Sequence, residues 1–463
     1  MTFVVSAPKA IAFDNDFGTN NRAYVPEVWA QESLMVLEEN LVAANLVHRS
    51  FENEIAEYGD VVNTRRPGKF EAVRKVDSDS VTIQDADAEK VQVKLNQHLH
   101  TSFLIKDGEM TKSFKDLVTE FLTPAVRSLA NGIDQIVLAS TYEFLGNQVG
   151  KLGTDPTKAT IIAANTKMNN NNVPGGMGQR NFILSPNAEG ALLAESEFTK
   201  VNEAGDGGIA LNQALLGNKF GFNFYMDQNT PSIASSQTTG SGAINLIAGY
   251  AAGSTSFVID ARGSGTGTLS VGMWVTIAGD MTPLRVTATN GTTTMTVATG
   301  TRYAVANDAA ITIYPAGAVD LTAGYAAGWV KDLVTKSFTD APLKGQMLSY
   351  TDDVYGLINT PTAIKSSLNR ETQTIMADDA ALNVGPAGDY SLAIHPNAIA
   401  LVTRPLITVP SEYGVRQAVV NYNGLSIRIS MQYDGNKQGM LVTADLLCGV
   451  KVLDANLGCI MLG

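Results

Sequence analysis

Between Lys219 and Lys331 the chain carries no lysine, although Lys and Arg recur at ordinary spacing on both sides. The gap is rich in Gly, Ser, Thr, Ala and Val, and it reads as short strands joined by turns. A mid-chain change of composition with ordinary sequence resuming beyond it marks an inserted β-domain rather than a tail. The insert is expected over 231–320. Its strand candidates are Ser256 to Ile259, Trp274 to Ile277, Leu284 to Ala288, Met295 to Val297 and Ala310 to Tyr314. Asn290-Gly291 between two of them is a hairpin signal, because both residues tolerate positive φ. Short strands at this spacing predict a small barrel or sandwich.

The host around the insert reads differently. Residues 1–24 hold no period, and Asp14, Asn15, Asp16, Gly18, Asn20 and Asn21 favour turns, so an extended arm is expected there. From Val25 to Ala56 the apolar positions Trp29, Leu34, Leu37, Leu41, Ala44, Val47, Phe51 and Ile55 form one stripe of a long amphipathic helix. Pro26 suits its first turn, and Gly59 its end. A second helix is expected from Thr111 to Asn147, with Phe114, Leu117, Phe121, Ala125, Leu129, Ile133 and Ile136 on one side. Some 35 helical residues would span roughly 50 Å, with Pro124 and Gly132 as candidate bends.

Between these helices, residues 60–106 predict a long two-stranded arm. Val91, Val93 and Leu95 alternate with Gln92, Lys94 and Asn96, and Val81-Thr82-Ile83 is the expected partner strand. The arm is two-signed. Arg65, Arg66, Lys69, Arg74 and Lys75 precede Asp77, Asp79, Asp85, Asp87 and Glu89. It is too polar to bury a core, and an isolated ribbon is marginal in water. A two-signed arm suits docking onto a copy of itself, where acid meets base across an interface. Arg65, Arg66, Lys69, Arg74, Lys75, Asp85, Asp87, Glu89, His98 and His100 are therefore the candidate inter-subunit contacts.

Downstream, Phe182 to Ser185 reads as a strand leading into a helix over Ala188 to Glu197, and Phe220 to Met226 as another strand. Asn169 to Asn172, Pro174 to Gly178 and Gly205 to Gly208 read as loops. Residues 321–385 give no clear pattern. The last 75 residues return to strands at Ser391 to Ile394, Leu425 to Ser430, Met440 to Thr443, Cys448 to Leu453 and Cys459 to Leu462.

Composition narrows the function. The hydrophobic fraction is 44% and the charged fraction 17%, which fits a folded chain and not a disordered one. A net charge of −12 argues against tight general binding to nucleic acid, which needs cations to displace counterions from phosphates. It leaves room for a container that surrounds DNA by loose contact. Cys448 and Cys459 read as buried free thiols, with a disulfide as the minor reading, and a reducing compartment fits. No apolar run is long enough for a membrane span, and the N-terminus lacks the features of a secretory signal.

Catalytic signals are sparse. His98 and His100 share one face of a strand, but no Cys or His cluster accompanies them as metal ligands. His48 reads as an interface residue and His395 as a strand-end residue. Gly263 to Gly267 is a flexible turn that does not match the dinucleotide pattern. Asp14 to Gly18 lacks the glycine position and closing glutamate of a calcium loop, and Asp85 to Glu89 reads as a solvated turn. No catalytic residue, cofactor or metal is assigned, and no enzymatic activity is expected.

The order of these segments resembles the major capsid protein of tailed bacteriophages, with the Hong Kong ninety-seven-type fold. It is most similar to coat proteins of short-tailed phages that carry an inserted β-barrel domain. The resemblance rests on Asn181 to Pro186, Gly221 to Asn229, Gly272 to Gly279 within the insert, Ser391 to Ala398, Thr403 to Leu406, and Tyr433, Asp434, Asp445 and Gly449. It implies an α+β fold with N-terminal arm and helix (1–59), extended β-loop (60–110), spine helix of a peripheral domain (111–150), a first axial and peripheral part (151–230), the inserted β-barrel (231–320), a stretch of axial domain or continued insert (321–390), and C-terminal strands (391–463). It also implies self-assembly into hexamers and pentamers of an icosahedral head, first as a procapsid, inside the host bacterial cytoplasm. A scaffolding protein, a portal protein, a decoration protein and loosely held packaged DNA are the implied partners, and a membrane is not. Two other readings stand beside it. One is a β-rich adhesin or fibre protein, which the long helices and missing signal disfavour. The other is a hydrolase with an accessory β-domain, which the lack of a nucleophile, base and orienter disfavours.

Overall fold

The structure is a computed structural model that describes residues 26–49, 61–65, 90–95, 97–107, 121–175, 179–199, 213–214, 216–231, 240–260, 269–290, 293–314, 316–318, 333–334, 347–350, 353–361, 365–368, 381–384, 388–410, 414–422 and 425–463. It mixes a few helices with several sheets.

The first helix, α1, spans Pro26–Asn40. Trp29, Leu34 and Leu37 are buried along one stripe, as the periodicity predicts. The helix does not run on to Ala56. It stops at Asn40, and a 3-10 turn follows at Ala43–Asn45. The reason is a competing acceptor. Asp134 takes the amide of Val42 at 2.9 Å and that of Ala44 at 2.8 Å, which draws this backbone away from a continuing helical ladder. Beyond the turn, the backbone at His48 exchanges hydrogen bonds with Ile399 and Leu401. Phe51, Ile55 and Gly59 lie outside the described residues.

Strand β1 (Val61–Arg65) and strand β2 (Lys90–Lys94) form an antiparallel ribbon in which Val61 faces Lys94 and Arg65 faces Lys90. The described partner of the 90–94 strand is thus β1, and residues 81–83 lie outside the described residues. Strand β3 (Gln97–Lys106) follows. Helix α2 spans Thr123–Ala139, roughly 25 Å. It ends before Asn147 because the hydroxyls of Ser140 and Thr141 donate to Val137 and Leu138 at 2.6 Å, and a 3-10 turn takes over at Ser140–Phe144. Pro124 lies in its first turn. Gly132 serves close packing: a Cβ there would lie 3.2 Å from Cδ1 of Leu99 on β3.

Next come β4 (Gln148–Gly150), α3 (Lys158–Asn170), β5 (Asn181–Leu184), α4 (Pro186–Ala194), α5 (Ser196–Thr199), β6 (Asn218–Lys219) and β7 (Phe222–Met226). Ser185 caps α4 by accepting from the amide of Ala188 at 3.1 Å. The strand-to-helix step matches its sequence signal.

The insert opens with β8 (Gly240–Ile244), followed by β9 (Ser256–Asp260), β10 (Trp274–Ile277), β11 (Leu284–Thr289), β12 (Thr294–Val297) and β13 (Ala310–Ile313). They close into a barrel in the order β10-β11-β12-β9-β8-β13. Its interior follows the period-2 rule, with Phe257 and Ile259, Val275 and Ile277, Leu284 and Val286, Met295 and Val297, Ile311 and Ile313 all buried in one core. Only β8 escapes the sequence reading, since its Gly-Ser-Gly-Ala-Ile run lacks β-branched residues until the last position. At the β11–β12 connection, Asn290 Oδ1 accepts from the amides of Thr293 and Thr294.

Strands β14 (Ala316–Ala318), β15 (Leu333–Val334), β16 (Met347–Tyr350), β17 (Asp353–Pro361), β18 (Lys365–Leu368) and β19 (Ala381–Val384) make a further six-stranded sheet, ordered β14-β19-β16-β17-β18-β15. Its described strands pair with one another and not with the host sheets.

The host resumes with β20 (Tyr390–Ile394), β21 (Ile399–Arg404), β22 (Val415–Tyr422), β23 (Leu425–Asp434), β24 (Gly439–Val452) and β25 (Gly458–Leu462). The segments around Met440 and Cys448 are one continuous strand, not two. One host sheet runs β4-β25-β20-β5-β7-β6. The other runs β21-β24-β23-β22, and β3 pairs with β24 along ten residue pairs from Gln97–Cys448 to Lys106–Gly439. Strand β3 is therefore part of the body and not of the extended arm. Among the described residues, two large hydrophobic cores fill the host. The larger gathers α1, α2 and the β21–β24 sheet around Trp29, Ile133, Ile427 and Ile429. The smaller packs α3 and α4 on the β5–β7 side around Ile161, Phe182, Leu192 and Phe222. The Tyr390 amide donates to the Pro231 carbonyl at 2.9 Å, where the host chain leaves and returns.

Candidate assembly surface

Strand β3 alternates cleanly. Leu99, Phe103 and Ile105 turn toward α2 and the larger core, while His98, His100, Ser102 and Lys106 are exposed on the opposite face. The two histidines share that face, their ring centroids 6.5 Å apart. His98 Nε2 lies 3.3 Å from Asp445 Oδ2 on the neighbouring strand, and Ser102 hydrogen-bonds the hydroxyl of Thr443 at 2.9 Å. His98 and His100 are thus body residues in a polar row across β3 and β24, not residues of the arm.

Asp445 organises this row. It is only 3% exposed. Arg428, its cross-strand partner on β23, reaches it through both Nε and Nη2, the geometry that makes Arg–carboxylate pairs strong. The third guanidinium donor, Nη1, goes to the carbonyl of Ile407 at 2.7 Å. Gln417 accepts from the Val409 amide at 2.7 Å. These bonds fix the loop after β21 so that Ile407 stands 85% exposed beside the polar row. Ile407 is thus an exposed apolar knob beside a buried ion pair.

The ribbon rises beside this sheet. Val93 and Leu95 are buried against Ala400 and Val402 of β21. The crossing is close enough that a Cβ at Gly449 would lie 2.1 Å from the carbonyl oxygen of Lys94, so only glycine fits. The ribbon base is therefore held by its own chain, although the arm's polarity alone suggests that something outside it must support it. Among the predicted contacts, Arg65 closes β1, whereas Arg66, Lys69, Arg74, Lys75, Asp85, Asp87 and Glu89 lie outside the described residues. His48 bridges Ala400 of its own chain, so its backbone joins the fold.

The barrel is clamped to the host. Lys151 Nζ donates to Gly279 O at 2.7 Å, and Arg302 Nη1 donates to Gly150 O at 2.8 Å. Both cations also lie over the Tyr303 ring, at 4.5 and 4.9 Å from its centroid. Asp280, fully buried, accepts the amides of Arg302 and Tyr303.

No group of three or more His, Cys, Asp or Glu side chains converges as a metal site among the described residues. A cleft of about 700 Å³ opens between α3 and the 299–302 segment of the barrel, lined by Gln148, Ile162, Lys167 and Arg302 but by no carboxylate, histidine or cysteine. His395 Nδ1 accepts from the Asn397 amide at 3.2 Å and so caps a turn at the end of β20, and burial, then Arg180, lowers its pKa. Cys448 and Cys459 are buried free thiols, both pushed up to about 12 by burial. No helix among the described residues is long and apolar enough to cross a membrane.

Sequence reasoning passes over the residues that do the most polar work. Asp445 enters the resemblance in segment order, but its burial and its bond to Arg428 are not legible there. Asp134 interrupts the apolar stripe of α2, and that break was its signal.

No family model matches the chain, and no curated protein matches it significantly. Solved structures resemble it over most of its length at low identity. A structure from Mycobacterium phage Che8 is 12% identical, with 91% of this chain and 90% of that one covered at a TM-score of 0.43. The capsid structure of the cyanophage P-SCSP1u is 9% identical, covering 88% and 85% at 0.42. The capsid of Ralstonia phage GP4 is 9% identical, covering 90% and 86%, also at 0.42.

Proposed function

We propose that this chain is the major capsid protein of a tailed bacteriophage and builds an icosahedral head around double-stranded DNA by repeated contact with copies of itself. The observation that carries the reading is the β1–β2 ribbon. Its strands pair with each other and with no other described strand, while its base is pinned to the body at Val93, Leu95 and Gly449. A ribbon anchored at one end and lacking a core of its own offers backbone edges and charges to a neighbour. Many such contacts, each weak, sum cooperatively in a closed shell. The polar row of β3 and β24 and the Ile407 knob extend the contact surface.

On this reading residues 1–59 supply the N-terminal arm and helix, 60–95 the extended loop, α2 the spine of a peripheral domain, and the β5–β7 sheet with β20 and β25 an axial domain. The barrel and the β14–β19 sheet are outgrowths of that host. A scaffolding protein, a portal protein and a decoration protein are partners inferred from the resemblance in segment order, and the virion is the place of action. The net charge of −12 fits a wall that encloses DNA without gripping it.

Size-exclusion chromatography followed by negative-stain microscopy tests the reading. Megadalton closed particles are expected, either from the chain alone or on adding a scaffolding protein. A stable monomer or small oligomer in both conditions overturns it.

A further inference from the structure

Two buried carboxyl groups meet where the two host cores join. Asp134, on α2, is 1% exposed, and Asp227, just after β7, is 3% exposed. Asp134 accepts the amides of Val42 and Ala44, and the Ala43 amide acts on both carboxyls. Asp227 Oδ1 accepts from the Asn229 amide at 2.8 Å, but its Oδ2 is buried without a hydrogen-bond partner. Asn229 ties the same turn to α2, receiving from Gln135 at 3.2 Å and donating to Asn131 at 3.4 Å.

We propose that Asp134 and Asp227 share one proton and form a proton-operated joint between the larger and smaller host cores. The inventory of neighbours requires it. The 42–44 turn presents only backbone amides, α2 presents the neutral amides of Asn131 and Gln135, and the 227–230 turn presents Asn229 and Thr230. The charge acting on Asp134 is that of Asp227, and no cation among the described residues acts on either carboxyl. Two carboxylates in so dry a place cannot both ionise cheaply. One retained proton removes the repulsion.

Burial, then Asp227, raises Asp134 to about 7, against opposing amide hydrogen bonds, and burial raises Asp227 too. The folded chain keeps a proton that the unfolded chain releases. The joint's stabilisation is therefore complete below the ordinary Asp range and is lost as pH rises through about 7. Mild acid tightens the seam between α1, α2 and β7, and mild alkali loosens it. This holds for a single subunit and does not rest on the capsid reading.

The test uses the full chain and its Asp227→Asn variant, which keeps the shape, removes one charge and supplies donors toward Asp134. Thermal unfolding is followed from pH 5 to pH 9, with infrared spectra of protein labelled with ¹³C-aspartate. The wild-type midpoint is expected to fall relative to the variant as pH rises toward 8. A protonated-carboxyl band is expected to persist at pH 6 in the wild type and vanish near neutrality. Parallel unfolding profiles, or a band that titrates entirely in the ordinary Asp range, overturn the proposal. Should the variant not fold, the wild-type band decides alone.

Discussion

Arg428 holds Asp445 by two parallel hydrogen bonds across neighbouring strands, Nε to Oδ1 at 3.0 Å and Nη2 to Oδ2 at 2.5 Å. The carboxylate is nearly sealed from solvent, and the same guanidinium fixes the Ile407 loop. Removing one partner leaves the other charge buried and unpaired, which costs more than the pair contributes. Asp445→Ala is expected to lower unfolding free energy by about 3 kcal/mol. Urea denaturation of the isolated subunit measures it. A change within a few tenths of a kcal/mol would show that the pair is solvated.

The ribbon can be shortened without touching the body. Arg65 faces Lys90 in register, so a two-residue Asn-Gly turn replacing residues 66–89 closes the hairpin directly. The shortened chain is expected to unfold at nearly the wild-type temperature yet fail to form stable shells. Normal particles by electron microscopy would remove the ribbon from the assembly mechanism.

Arg302 and Lys151 are side-chain straps between barrel and host. Arg302→Ala removes its bond to Gly150 and its contact with Tyr303. A loss of about 1–2 kcal/mol is expected, along with faster proteolytic release of the barrel. The barrel core lies away from the strap, so the barrel itself should stay resistant. Unchanged cleavage kinetics would mean that the backbone junction alone fixes the domain.

Both thiols are sealed in host cores and held up to about 12. Since the thiolate is the reactive form, neither cysteine should react with a thiol reagent in the native chain at pH 8. Two equivalents should react in denaturant. Rapid native labelling would place at least one of them at an opening of the core.

Local pattern reached far into this fold where a single period rules. The five predicted barrel strands follow from alternation, and the β5-to-α4 step follows from Ser185 and Pro186. It failed where distant groups intervene. The apolar stripe of α1 continues past Asn40 in sequence, but Asp134, some ninety residues away, captures the next amides and ends the helix. Residues 97–106 read as part of the arm until β24 is there to pair with them. Asp445 and Asp227 acquire meaning only from what surrounds them, which no spacing reveals. The contact residues of the ribbon, apart from Arg65, lie outside the described residues, so their role rests on charge pattern alone.

The hydrogen bond from Tyr390 to Pro231 has a further consequence. Within that bracket, β8 lies beside β13 and β14 lies beside β19, so each excursion comes back to its point of departure. Along the chain the whole outgrowth leaves and rejoins the host at one place, and the Lys151 and Arg302 bonds are added ties across space. The outgrowth can lengthen, shrink or be exchanged for another compact module over evolutionary time, and a designed cargo grafted there would leave the pairing of the host sheets untouched.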